Sequence, residues 1–169
     1  KKLSQLRTAV DEVFAVRGGE DQGAAARMVA ELEKGGMLSE RDFAARMPIM
    51  VGGPEPAIEL VKQARILRGQ MGAAETGGLA AIMSKAIRAG DPHEVLSAAI
   101  IAAPEASLLG ISDEELMALV SILGEKAGNM DQGGQQAKAF LRFIHEHYDL
   151  KGKSFAEMVK AIQIDPPGP

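Results

Sequence analysis

Of the 169 residues only two are threonine, Thr8 and Thr76, while 27 are alanine. This imbalance constrains the fold more than any motif does. β-Sheets draw on Thr, Val, Ile and aromatic residues, and the aromatics reach only 4%. Alanine loses no side-chain entropy in a helix and lets helices pack closely. An all-α fold is therefore expected, and an apolar fraction of 46% is enough to give it a core.

The punctuation of the chain sets the number of elements. Leu3, Leu6, Val10, Val13 and Phe14 form an amphipathic stripe that Arg17-Gly18-Gly19 ends. A second helix over about 22–34 stops at Gly35-Gly36. Ser39-Glu40-Arg41-Asp42 has the pattern of a capped helix start, and Pro48 is expected to end that helix. Residues 48–51 are the nearest approach to a strand. After the break at 52–56, a helix carrying Ile58, Val61, Ile66 and Leu67 runs to about Arg68. Gly69, Gly72, Gly77 and Gly78 make 69–78 the most flexible-looking interior segment.

A helix carrying Met83, Ala86 and Ile87 follows and closes at Gly90. Asp91-Pro92-His93-Glu94 supplies an N-cap, a proline at the first helical position and a box partner. Its helix is expected to stop near Ala103-Pro104. Ser112-Asp113-Glu114-Glu115 repeats the capping box ahead of Leu116, Leu119, Val120 and Leu123, a stripe ending at Gly124 or soon beyond. Residues 128–134 read as a loop, with a long helix from about Gln135 and a last short one capped by Ser154 and Glu157.

The expected architecture is a compact bundle of about eight short helices in one domain over 1–164. A subdivision near 69–78, or irregular helical repeats suggested by the likeness of 28–47 to 83–101, are variants of it. Residues 165–169, Asp-Pro-Pro-Gly-Pro, have linker composition. With Lys1-Lys2-Leu3 at the start, the chain reads as part of a larger, multidomain protein, with a bacterial origin expected. No run of 18 apolar residues is present, so no membrane insertion is expected. The lack of cysteine removes disulfide and thiolate chemistry and favours a reducing cytoplasm.

No motif carries chemistry. Gly152-Lys153-Ser154 lacks the upstream glycine of a phosphate loop. His145 and His147 lie two apart and would point to opposite sides of a helix, which leaves His145 with Asp149 as a local pair. No metal, cofactor or catalytic residue is assigned. A net charge of −4 argues against a nucleic-acid partner.

Charge and methionine placement give the candidate partner-binding residues. Lys62, Arg65 and Arg68 make a basic ridge at helical spacing. Residues 105–131 hold six acids, Asp113 and Glu114 among them, against Lys126 alone. Met37, Met50, Met71 and Met130 fall in or near expected loops, where a soft side chain suits an adaptable surface; Met71 and Met130 join the candidates. The expectation is a helical protein-interaction or regulatory domain acting on another protein or a neighbouring domain. The alternatives are an enzyme or accessory domain with a polar pocket near 69–78, and an oligomerisation domain.

Overall fold

The computed structural model describes residues 2–16, 22–72 and 77–147, together with 154, 156, 157 and 160. These residues form eight α-helices and no strand. They are α1 (Lys2–Val16), α2 (Gln22–Lys34), α3 (Arg41–Val51), α4 (Pro54–Met71), α5 (Leu79–Ala89), α6 (Pro92–Leu108), α7 (Asp113–Ala127) and α8 (Met130–His147), with a 3-10 turn at Leu38–Glu40. The all-helical bundle expected from composition is the fold observed. No helix among the described residues is long and apolar enough to cross a membrane.

One continuous hydrophobic cluster runs from Ala9 in α1 to Ile144 in α8. Its axis is α6, which packs on α4, α5, α7 and α8. The face that makes this possible is mostly alanine: Ala98, Ala99, Ala102, Ala103 and Ala106 are buried beside Val95 and Leu96. Small side chains let several neighbours reach one helix at once. The first four helices make a second layer in which α4 packs on α2, α3 and α6.

Ion pairs tie the layers at their edges. Arg65 Nε donates to Glu31 at 2.8 Å, joining α4 to α2. Arg142 reaches Glu105 at 3.1 Å, joining α8 to α6. The Arg41 guanidinium is held above its ordinary pKa by its hydrogen bond with Glu12. Lys85 meets Asp113 at 3.0 Å, with the aspartate side chain 1% exposed. Ser121 Oγ, two turns further along α7, donates to the Ala89 carbonyl, so α5 and α7 are joined twice.

Several expected boundaries are corrected by the packing. Pro48 and Pro104 do not end their helices; both lie inside them. Proline forfeits one backbone bond, but continuing α6 past Pro104 buries Ala106 and brings Leu109 and Ile111 to the core. Residues 48–51, the nearest to a strand, are the last turn of α3. Ser39 makes no cap; Leu38–Glu40 is a 3-10 turn leading into α3 without a side-chain cap bond. Helix α4 passes Gly69 and ends at Met71, and residues 73–76 lie outside the described residues. The last predicted helix is described only in part, with Ser154 Oγ accepting from the Glu157 amide at 3.2 Å.

The largest correction concerns 128–134. Gly128, at φ 72°, closes α7, and Asn129 Oδ1 accepts from the Gln132 amide at 3.2 Å. Helix α8 therefore begins at Met130 and carries Gly133 and Gly134 inside it, both buried. A Cβ on Gly133 would lie 2.5 Å from Gly124 N and Val120 O of α7. A Cβ on Gly134 would lie 2.7 Å from Ala98 O of α6. The glycines permit backbone contact with two helices at once rather than a turn.

Candidate functional site

The first turn of α6 is built as its sequence suggests. Asp91 Oδ1 accepts from the His93 amide at 3.0 Å and the Glu94 amide at 3.2 Å, and Pro92 occupies the opening turn. The turn is anchored from beneath by Gln63 of α4, which is 6% exposed. Gln63 Nε2 donates to Ser97 Oγ and lies 3.5 Å from the His93 carbonyl. Its Oε1 is buried without a hydrogen-bond partner, so one buried acceptor under this turn remains unsatisfied.

Two depressions open on either side of that turn and meet at His93. The first, of about 640 Å³, lies between the end of α3, the start of α4 and α6. Met50, Val51, Pro56, Leu60 and Pro92 give it apolar walls; Glu55, Glu59 and Asp91 stand among them. Next to Met50, which is 56% exposed, Ile49 is 90% exposed. Both residues belong to the last turn of α3, which the Gly52-Gly53 corner closes, with φ of 89° and 140° and the Gly53 amide donating to the Pro48 carbonyl at 2.8 Å.

The second depression, of about 560 Å³, lies between α6 and the α7–α8 connection. It is polar: Glu94, Ser97, Glu125, Asn129 and Asp131 line it with Met130. Met130 reaches across to Gly124, whose missing side chain leaves room for the thioether. Glu59, Glu94, Glu125 and Asp131 are exposed and make no ion pair among the described residues. No Lys or Arg among the described residues lines either depression.

The residues singled out from sequence are dispersed. Lys62 is exposed on α4. Arg65 is engaged with Glu31, and Arg68 Nη1 donates to the Gly35 carbonyl at 3.2 Å. Two of the three basic groups therefore fasten α4 to the α2 end rather than stand free. Met37 lies in the connection after α2 and Met71 at the end of α4, but both are buried, at 1% and 5% exposure, which corrects the exposed surface expected of them. Asp113 is buried against Lys85, while Glu114 is exposed and 3.9 Å from Arg88. Of the seven candidate partner-binding residues, Met130 alone lines the site, joined there by Met50 of the wider methionine set.

His145 and His147 are exposed on the last turn of α8, with the His147 ring 4.3 Å from that of Phe143. Asp149, the expected partner of His145, lies outside the described residues. No group of three His, Asp or Glu side chains converges to hold a metal ion among the described residues. Sequence reasoning missed His93 and Met50 as parts of one surface. The Asp91-Pro92-His93-Glu94 cap was visible, but its pairing with the α3–α4 corner depends on helix packing. No family model matches the chain, and no curated protein or solved structure is found to resemble it.

Proposed function

We propose that this chain is a helical protein-interaction domain that docks a partner segment on the two depressions around the first turn of α6. The observation that carries the reading is Met50, a large apolar side chain held exposed on the wall of an apolar-lined depression, with Ile49 exposed next to it in sequence. Apolar surface gathered beside a groove is characteristic of protein docking sites. Methionine adapts its shape to what it meets, and the Gln63 anchor and the Asp91 cap hold the groove wall in place.

The test is a pull-down from the source cells with the native chain and the Ile49→Ser/Met50→Ser variant, after circular dichroism has established that both are folded. A protein bound by the native chain and lost by this variant supports the site. A protein retained by it but lost by Ile87→Ser/Ile122→Ser moves docking to the α5 and α7 surface and refutes the site.

A further inference from the structure

The chemistry of the occupant can be read from the charges around the groove; this step rests on the docking reading above. Six acids line the two depressions, and no Lys or Arg among the described residues does. Glu55 is met by Arg27. Glu59, Glu94, Glu125 and Asp131 are not neutralised by any ion pair among the described residues, whereas Glu12, Glu31, Glu105 and Asp113 elsewhere are each paired. Like charges gathered along low-dielectric walls focus a negative field in the cleft, which favours a cation and repels an anion.

The two depressions also differ in character. Apolar walls around Met50, Pro56 and Leu60 adjoin a polar depression carrying Glu94, Glu125 and Asp131, with His93 between them. We infer that the occupant is a cationic, amphipathic segment of a partner protein, its apolar side chains against Met50 and Leu60 and its Lys or Arg side chains against Glu94, Glu125 and Asp131. Nucleic acid and anionic lipid carry the wrong charge for this surface. A second copy of the chain is a poor source of the cation through the α4 ridge, since Arg65 and Arg68 are engaged internally and only Lys62 stands free.

The probe is a synthetic 14-residue amphipathic peptide of Leu and Lys, with Leu/Gln and Leu/Glu twins, followed by fluorescence anisotropy over a range of salt. The protein is used as the native chain, as Glu94→Gln/Glu125→Gln/Asp131→Asn, and as a control, Asp11→Asn/Asp42→Asn/Glu114→Gln. The control removes the same charge at exposed positions that line neither depression. The expected result is binding in the order Leu/Lys, Leu/Gln, Leu/Glu. The groove variant should bind Leu/Lys about tenfold more weakly and with a shallower salt dependence, and the control should change by less than about twofold.

Equal loss in groove and control variants means diffuse attraction and overturns the inference. Equal binding of Leu/Lys and Leu/Gln, abolished by Ile49→Ser/Met50→Ser, overturns the cationic occupant and leaves the docking reading standing. Binding of no peptide also overturns the cationic occupant, and the pull-down then decides the docking reading alone.

Discussion

Replacing Gly133 by alanine tests the central packing claim, because the same substitution has an opposite expected sign elsewhere in the chain. In an ordinary helix interior, Gly→Ala stabilises by about 0.5–1 kcal/mol. Gly69, inside α4 and exposed, has nothing within 4 Å of an added Cβ. Gly69→Ala should therefore raise Tm by about 1–4 °C, using about 2–4 °C per kcal/mol for a chain of this size. At Gly133 the new methyl would meet Gly124 N and Val120 O at 2.5 Å, where ordinary contact begins at 3.4 Å. Both obstacles are backbone, so relief requires α7 and α8 to separate by close to 1 Å.

A gap of that size forfeits roughly a quarter to a half of each dispersion contact across the interface, and overpacking costs about 1–3 kcal/mol. With obstacles on both backbones the upper end applies. After the gain in helix propensity, a net loss of about 2 kcal/mol remains, equivalent to a fall in Tm of about 4–8 °C. Gly134→Ala, facing Ala98 O at 2.7 Å, should fall in the same direction by somewhat less. Thermal unfolding followed by far-UV circular dichroism reads all three. If Gly133→Ala rises in step with Gly69→Ala, the helices are not in backbone contact and the account of 128–134 is wrong.

Two further predictions concern polar ties. Lys85→Met leaves the Asp113 carboxylate buried and unpaired and should cost about 3 kcal/mol. Asp113→Asn leaves Lys85, with 20% of its side chain exposed, able to regain water and should cost about 1–2 kcal/mol; chemical denaturation checks the order, and a larger loss for Asp113→Asn would contradict the burial argument. Ser112→Ala removes the acceptor of the Glu115 amide and should cost about 1 kcal/mol. Glu115→Gln, which can still accept from the Ser112 amide, should cost less than that; equal losses in the two variants would mean that the carboxylate charge matters more than the box.

The helical class was legible because it rests on composition, and the starts of α6 and α7 because caps are local. The Ser112–Glu115 box forms in both directions, and Asp91 caps as expected. The errors came where a tertiary contact outweighed a local preference. Pro104 and Gly133-Gly134 are helix breakers in isolation, yet Ala98 and Val120 lie where helix continuation buries more than the local preference costs. The basic ridge was real as a spacing on α4, but Glu31 and the Gly35 carbonyl, which engage Arg65 and Arg68, belong to residues about 34 positions away. The groove has the same origin: Met50 and His93 are 43 residues apart in sequence, and the packing of α3 on α4 and of α4 on α6 brings them to one surface.

The alanine face of α6 also bears on synthesis of the chain. Helices α4 and α5 precede α6, but α7 and α8, which cover its remaining side, are complete only at residue 147, 39 residues after α6 ends. At about 5–20 residues per second this leaves that side uncovered for roughly 2–8 s on the ribosome. A face of Leu or Phe would present far more apolar area during the wait. Alanine at 98, 99, 102, 103 and 106 keeps the area per residue small, so a face that admits α8 at close range beside Ala98 is also a poor target for premature association.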